Sequence, residues 1–150
     1  MARELEHQEQ VALFNWAKFC ENKCPLLRMM FSIPNGGKRH ITVARKLKAE
    51  GVKAGVPDIF LPVPVEGFVK ETSEESEKFY SGILKPVKIP GLFIEMKVGK
   101  NKLTENQVGW FNELKKHGYQ YNICYSWIEA AKVICEYLDL DPDEYGLEDR

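Results

Sequence analysis

The chain has 150 residues, of which 44% are hydrophobic and 29% charged, and its formal net charge is −1. This length and composition fit one globular domain with a single core, so we expect no second catalytic domain. No apolar stretch is long enough for a signal peptide or a membrane span, which predicts a cytoplasmic protein with no membrane partner.

The first part of the chain is typical of alternating helices and strands. Residues 4–21 have the apolar spacing of an amphipathic helix, which must end before Pro25. Residues 27–33 are predicted to form a strand and residues 34–37 a turn. A short helix over residues 41–50 is ended by Gly51, and a strand over residues 58–63 is interrupted by Pro62 and Pro64.

An insertion spans about residues 65–90 and is acidic in its middle. Its composition favours a loop or a loosely attached hairpin rather than core. Because it lies between two strands that carry candidate site residues, it could cover the rim of that site.

The last part of the chain is predicted to alternate again. Residues 92–96 form a buried strand, and Thr104 caps a helix that runs to about His117 and ends at Gly118. Residues 119–125 form another strand, and Ser126 caps a helix over residues 127–138. We therefore predict a single α/β domain over residues 1–138, followed by an acidic C-terminal tail over residues 139–150, with no internal repeat.

The four cysteines do not have zinc-site spacing. Cys20, Cys24, Cys124 and Cys135 include no Cys-x-x-Cys pair and no suitably placed histidines. We expect reduced and mostly buried thiols.

The charge distribution is uneven. Residues 136–150 contain seven acids and one base, and residues 66–78 contain five acids and two bases, so the remainder of the chain is net positive. The basic residues concentrate at 38–53 and 85–102, on either side of the candidate site. A nucleic-acid backbone is a plausible partner for this field, and an ordinary solvated surface is the alternative.

Two short motifs carry the chemistry. Asp58 follows Pro57 at the start of one apolar run, and Glu95 and Lys97 lie two residues apart at the end of another. Side chains i and i+2 of a strand share a face, so Glu95 and Lys97 point together and Met96 points away. Two carboxylates suit Mg²⁺, the backbone carbonyl of Met96 could be a third ligand, and a lysine beside them can orient water or neutralise a phosphate. For Asp58 the alternative is a structural turn aspartate.

These motifs resemble the PD-(D/E)xK nuclease superfamily. Their surroundings are similar in order and spacing to its VRR-NUC branch: residues 33–39 (IPNGGKR), Gly51, residues 55–58 (GVPD) and residues 103–107 (LTENQ). The resemblance covers about residues 6–138. It implies a restriction-endonuclease-like mixed central sheet flanked by helices.

The resemblance also implies a site. Asp58 and Glu95 would hold Mg²⁺ or Mn²⁺, and Lys97 would act near the attacking water, either as a base or as a fixed cation. Glu6 and Gln10, four residues apart on one helix face, match the family's glutamate and glutamine, with Glu9 as a weaker alternative and a solvated helix face as the competing interpretation. Gln107 resembles the family's later glutamine and could hold a water or a phosphate oxygen.

The glycine-rich turn is a candidate substrate contact. The glycines allow close backbone approach, whereas a plain turn would have no such role. The residues concerned are Asn35, Gly36, Gly37, Lys38 and Arg39. No histidine has a partner at metal spacing, so we propose no histidine base.

The predicted function is a metal-dependent DNA endonuclease. Stand-alone, virus-type (phage) members of the resembling family imply branched DNA, with Holliday-junction resolution in recombination or repair, in a bacterial or virus-infected cell. Two symmetric cuts favour a homodimer. Trp110, Phe111, Tyr119 or Trp127 could supply the dimer seam, although all four suit core positions better. The alternatives are a non-catalytic DNA-binding accessory module for recombination or repair and a duplex-cleaving restriction-type nuclease.

Overall fold

The computed structural model describes residues 1–34, 40–70 and 84–148. The helices are α1 (Ala2–Cys20), α2 (Ile41–Ala49), α3 (Glu105–Lys116) and α4 (Trp127–Tyr137). The strands are β1 (Phe31–Ser32), β2 (Ile59–Leu61), β3 (Val65–Lys70), β4 (Leu84–Ile89), β5 (Leu92–Met96) and β6 (Gln120–Cys124). Short 3-10 helices span Pro25–Met29 and Pro142–Tyr145. Within this described part of the chain, no helix is long and apolar enough to cross a membrane.

A mixed sheet forms the centre of the domain. Its strand order is β1-β2-β5-β6, with antiparallel pairs β1/β2 and β2/β5 and a parallel pair β5/β6. Helix α3 forms the crossover between the two parallel strands. This confirms the predicted single-domain α/β fold with a mixed sheet and flanking helices.

Side-chain alternation divides the sheet into two faces. Ile59, Leu61, Ile94 and Met96 are fully buried in the core, where α1 and α4 pack. Asp58, Phe60, Phe93 and Glu95 alternate with them and point to the other face. The same periodicity that builds the core therefore places Asp58 and Glu95 on the opposite face of the sheet.

The predicted helix caps are present. The Thr104 side chain accepts a hydrogen bond from the Gln107 backbone N–H, and the Gln107 side chain accepts one from the Thr104 N–H, which makes a capping box. Ser126 caps α4 by accepting from the backbone N–H of Glu129.

The strand predicted over residues 27–33 is wrong for most of its length. Residues Pro25–Met29 form a 3-10 helix, which begins with the proline at its first position and buries Leu27 in the core. Only Phe31–Ser32 pairs with the sheet. The apolar run therefore reflects a 3-10 turn that buries Leu27 and leaves Leu26 and Met29 exposed, rather than a buried strand.

The insertion begins and ends as an antiparallel hairpin of β3 and β4, separate from the central sheet. Val65 and Ile89, at its base, pack against the core. The Tyr137 hydroxyl donates to the carbonyl oxygen of Val63 at 2.6 Å and also contacts that of Ile89 at 3.5 Å. The acidic middle, residues 71–83, lies outside the described residues, as does its suggested position over the site.

The segment after α4 packs against the domain. Tyr145 and Leu147 are buried in the core, and the Trp16 indole N–H donates to the Tyr145 carbonyl at 3.0 Å. Residues 139–148, assigned from sequence to an acidic tail, thus contribute two core side chains. The four cysteines are free and buried, as predicted.

Replacing Leu147 with alanine should destabilise the domain by about 2–4 kcal/mol, because it leaves a cavity in the core. The exposed neighbour Glu148, changed to alanine, is the matched control and should alter the free energy of unfolding by less than about 0.5 kcal/mol. Urea unfolding of the three proteins measures both values. Equal stability of the Leu147 variant and the parent would contradict the packing of this segment.

Candidate active site

A cleft of about 660 Å³ opens on the face of the sheet that carries Asp58 and Glu95. Its walls come from α1, the end of β1, the loop before β2, the end of β5 and the start of α3. The lining residues that carry polar or charged side chains are Arg3, Glu6, His7, Gln10, Ser32, Lys53, Asp58, Glu95, Lys97, Thr104, Asn106 and Gln107.

The loop before β2 positions Asp58. Gly55 has φ +80°, and a Cβ there would lie 2.6 Å from backbone and side-chain carbons of Asn106 in α3, so only glycine fits. The Trp110 indole N–H donates to the Ala54 carbonyl at 3.1 Å and holds the loop against the same helix. Asp58 then accepts a 2.8 Å hydrogen bond from the backbone N–H of Met96 to its Oδ2. The carboxylate is thereby fixed beside the end of β5.

Glu95 is the central buried charge of the site. Its side chain is 1% exposed, and its Oε1 accepts from the Lys97 ammonium at 2.9 Å and from the Gln107 amide. Its Oε2 is buried and has no hydrogen-bond partner among the described residues. Burial, followed by the charge of Asp58, raises the pKa of Glu95 from 4.5 to about 7, although Lys97 opposes the shift.

Gln107 joins the helix start to the carboxylate. Its Oε1 closes the capping box with Thr104, which turns its Nε2 toward Glu95. The sequence predicted that this amide would hold a water or a phosphate oxygen. In the structure it holds Glu95, and one N–H of its amide group is left for a further acceptor.

The first helix contributes a polar stripe to the cleft. Arg3, Glu6, His7 and Gln10 all line it, at the i, i+3, i+4, i+7 spacing of one helix face. The Glu6 carboxylate accepts from the Asn101 amide at 3.3 Å. The spacing is present in the sequence, which predicts only Glu6 and Gln10 as site residues.

Glu9 has a different role from Glu6. Its Oε2 accepts a 2.6 Å hydrogen bond from the backbone N–H of Trp127, the first residue of α4. A carboxylate there satisfies one free N–H of the helix end and interacts favourably with its dipole. The structure thus places Glu6 at the cleft and uses Glu9 to join α1 to α4.

The structure adds residues to the site that the sequence does not predict. Lys53 and Asn106 line the cleft from the loop before β2 and from α3. Tyr121, under α3, has a buried hydroxyl with no partner among the described residues, and burial together with Glu95 and Asp58 raises its pKa. The predicted substrate contacts Asn35, Gly36, Gly37, Lys38 and Arg39 lie outside the described residues.

The donor set suits a hard cation. Among the residues that the structure describes, the buried Oε2 of Glu95 has no partner, and a positive charge between Glu95 and Asp58 would relieve their repulsion. In residues 1–34, 40–70 and 84–148, no three His, Cys, Asp or Glu side chains are grouped to hold a metal ion. Two carboxylates with other oxygen donors are nevertheless typical for Mg²⁺, which keeps several waters.

Comparison with known proteins identifies the family. The family model of the VRR-NUC domain matches residues 1–127. A solved structure described as a VRR_NUC domain protein is similar in fold, with a TM-score of 0.62 and 25% identity, covering 91% of this chain and 89% of that chain. No curated protein matches the chain. The chain belongs to the VRR-NUC family, which gives it a nuclease-type domain.

The raised pKa of Glu95 predicts a pH-dependent stability of the metal-free protein. The folded state binds this proton more tightly than the unfolded state, so the stabilisation is complete below pH 4.5 and is lost as the pH rises through about 7. Glu95→Gln keeps the shape and stays neutral. Between pH 5 and pH 8 the variant should gain roughly 2–3 kcal/mol relative to the parent.

Urea unfolding in EDTA at several pH values measures this difference. Adding Mn²⁺ at pH 8 should stabilise the parent and leave the Gln variant nearly unchanged. Parallel stability curves for the two proteins would show that Glu95 keeps an ordinary pKa.

Proposed function

We propose that the protein is a metal-dependent endonuclease that hydrolyses DNA phosphodiester bonds, with branched DNA such as a four-way junction as its substrate. One observation carries the proposal. Two carboxylates, Asp58 and Glu95, share one face of the sheet at a cleft wall, and Oε2 of the buried Glu95 has no partner within the described part of the chain.

Three oxygen donors would hold the cation: the carboxylates of Asp58 and Glu95 and the carbonyl of Met96. The N–H of Met96 bonds to Asp58, and in a strand the N–H and C=O of one residue point to the same side. The carbonyl is therefore directed toward Asp58. When bound there, Mg²⁺ or Mn²⁺ stabilises charge on the phosphate and lowers the pKa of a coordinated water.

Two further side chains position the Glu95 carboxylate, and one of them can also neutralise charge on the phosphate. Gln107 and Lys97 both donate hydrogen bonds to Oε1 of Glu95, which leaves Oε2 available to the cation. The Lys97 ammonium stays at the carboxylate and can neutralise charge that develops on the phosphate as water attacks in line with the leaving 3′ oxygen. This ion pair favours a fixed cation over a base.

The cleft is lined by three bases and three acids: Arg3, Lys53, Lys97, Glu6, Asp58 and Glu95. A bound divalent cation would make its net charge positive, which suits a polyanion. Symmetric cleavage of a junction requires two active sites related by a two-fold axis, so the proposal includes a homodimer.

Asp58→Ala and Glu95→Ala should each abolish cleavage while binding of the junction persists, because the carboxylates hold the cation and other residues hold the phosphates. Glu136→Ala, an exposed acid on α4, is the control and should cleave like the parent. A labelled four-way junction and a linear duplex of the same arm sequence are incubated with Mg²⁺, Mn²⁺ or EDTA.

Gel-shift assays on the same samples separate lost chemistry from lost folding. Cleavage by both alanine variants at the parent rate would exclude this site. Binding without cleavage by the parent, in either metal, would instead indicate the accessory-module alternative. Equal cleavage of the linear duplex would exclude branched DNA as the preferred substrate.

The basic residues of the cleft should set the salt dependence of binding. Replacing Arg3 and Lys53 together with alanine should reduce the slope of log affinity against log salt by roughly one to two, if both contact phosphates. Lys18 and Lys116, exposed and outside the cleft lining, form the control pair with the same change in net charge. Equal slopes for the two double variants would place the DNA elsewhere.

A further inference from the structure

An aromatic row crosses the central sheet. Phe31, Phe60, Phe93 and Tyr121 are register partners on the four strands β1, β2, β5 and β6. Partners in register share a face of the sheet. Every strand therefore contributes one aromatic side chain to the same line.

This aromatic row lies beside the carboxylates. Phe60 is two residues after Asp58, and Phe93 is two residues before Glu95, so both rings share the face of the cleft. Two residues of strand span about 6.6 Å. A stacked DNA strand rises about 3.4 Å per nucleotide, so the aromatic row is one to two nucleotides from a phosphate at Asp58 and Glu95.

The rings form a continuous surface whose exposure to solvent increases toward the edge strand. Phe60 and Phe93 stack at 4.2 Å with an interplanar angle of 13°, and Phe31 meets Phe60 edge-on at 5.8 Å. Tyr121 is 4% exposed beneath Phe111 of α3, Phe93 is 9% exposed, and Phe31 is 48% exposed. The row is thus anchored in the protein at one end and open to solvent at the edge strand.

The Phe60 ring packs against the backbone at Gly91. A Cβ at Gly91 would lie 2.5 Å from a carbon of this ring, so the glycine immediately before β5 makes room for it. The stacked pair in turn supports Phe31. An aromatic ring exposed on a rigid sheet loses little conformational freedom when a planar ligand stacks on it.

We propose that the aromatic row, through its exposed residue Phe31, is a stacking subsite for an unpaired base of the DNA strand whose phosphate enters the cleft. The subsite rests on the proposed nuclease function and specifies its substrate. Bases inside a duplex are already stacked and cannot reach a protein ring, whereas the bases at a branch point can be splayed. Arg3 and Lys53, which line the cleft beside the row, would contact the phosphates of the same strand.

The test measures binding by fluorescence anisotropy in an Asp58→Ala background, with Phe31→Leu as the test substitution. Leucine keeps the apolar bulk and removes the ring. Phe19→Leu is the matched control, because Phe19 is 88% exposed on α1 and is not part of the aromatic row. The probes are a fork with unpaired bases at the branch, the same fork with abasic sites there, and a linear duplex.

Phe31→Leu should weaken binding of the base-bearing fork by roughly five- to thirtyfold. It should leave the abasic fork and the duplex within about twofold, and Phe31→Trp should restore the affinity. Equal losses on all three probes, or no loss on any, would overturn the stacking subsite. If the Asp58 variant does not fold, the Phe31 and Phe19 variants are made in the parent chain and compared in EDTA.

The outcome for the nuclease function is separate. If the parent cleaves neither these probes nor the four-way junction with Mg²⁺ or Mn²⁺, the proposed activity fails, while the binding series still decides whether Phe31 stacks on a base. If the parent cleaves but Phe31→Leu binds all probes like Phe19→Leu, the activity stands and the subsite fails.

Discussion

The burial of Glu95 and Lys97 at the end of the central strand is the constraint on which the site depends. A buried ion pair is costly to desolvate and is tolerated only when further hydrogen bonds satisfy it. The pair is 2.9 Å apart, and the amide of Gln107 satisfies the same carboxylate oxygen. The second oxygen is unsatisfied within the described structure, which supports our proposal that the pair belongs to a cation-binding site.

The surrounding elements follow from this constraint. The capping box of α3 directs the amide of Gln107 toward Glu95. The same side chain therefore stabilises the start of the helix and orients the carboxylate. Gly55 lets the loop before β2 contact α3, and Asp58 is then held against the N–H of Met96. A change in either contact moves a carboxylate, even though neither Gly55 nor the capping threonine carries chemistry itself.

Much of this arrangement could be predicted from sequence because local patterns determine it. Alternation set the faces of β2 and β5, Thr104 and Ser126 marked two helix starts, and the two acidic motifs are adjacent in space. What failed depends on long-range packing. The apolar run at residues 27–33 does not distinguish a strand from a 3-10 turn that buries only Leu27, and the acidic neighbours of Tyr145 and Leu147 hide their apolar character. The role of Glu9 required knowing that α4 begins beside α1.

The central claim is that Asp58 and Glu95 together hold a divalent cation. Crystals of the parent soaked in Mn²⁺, with anomalous data collected at the manganese edge, test it directly. We predict a single strong anomalous peak within coordination distance of both carboxylates, lost in crystals of Glu95→Gln. No peak at that position in crystals soaked at saturating Mn²⁺, or an unchanged peak in the Gln variant, would contradict the account.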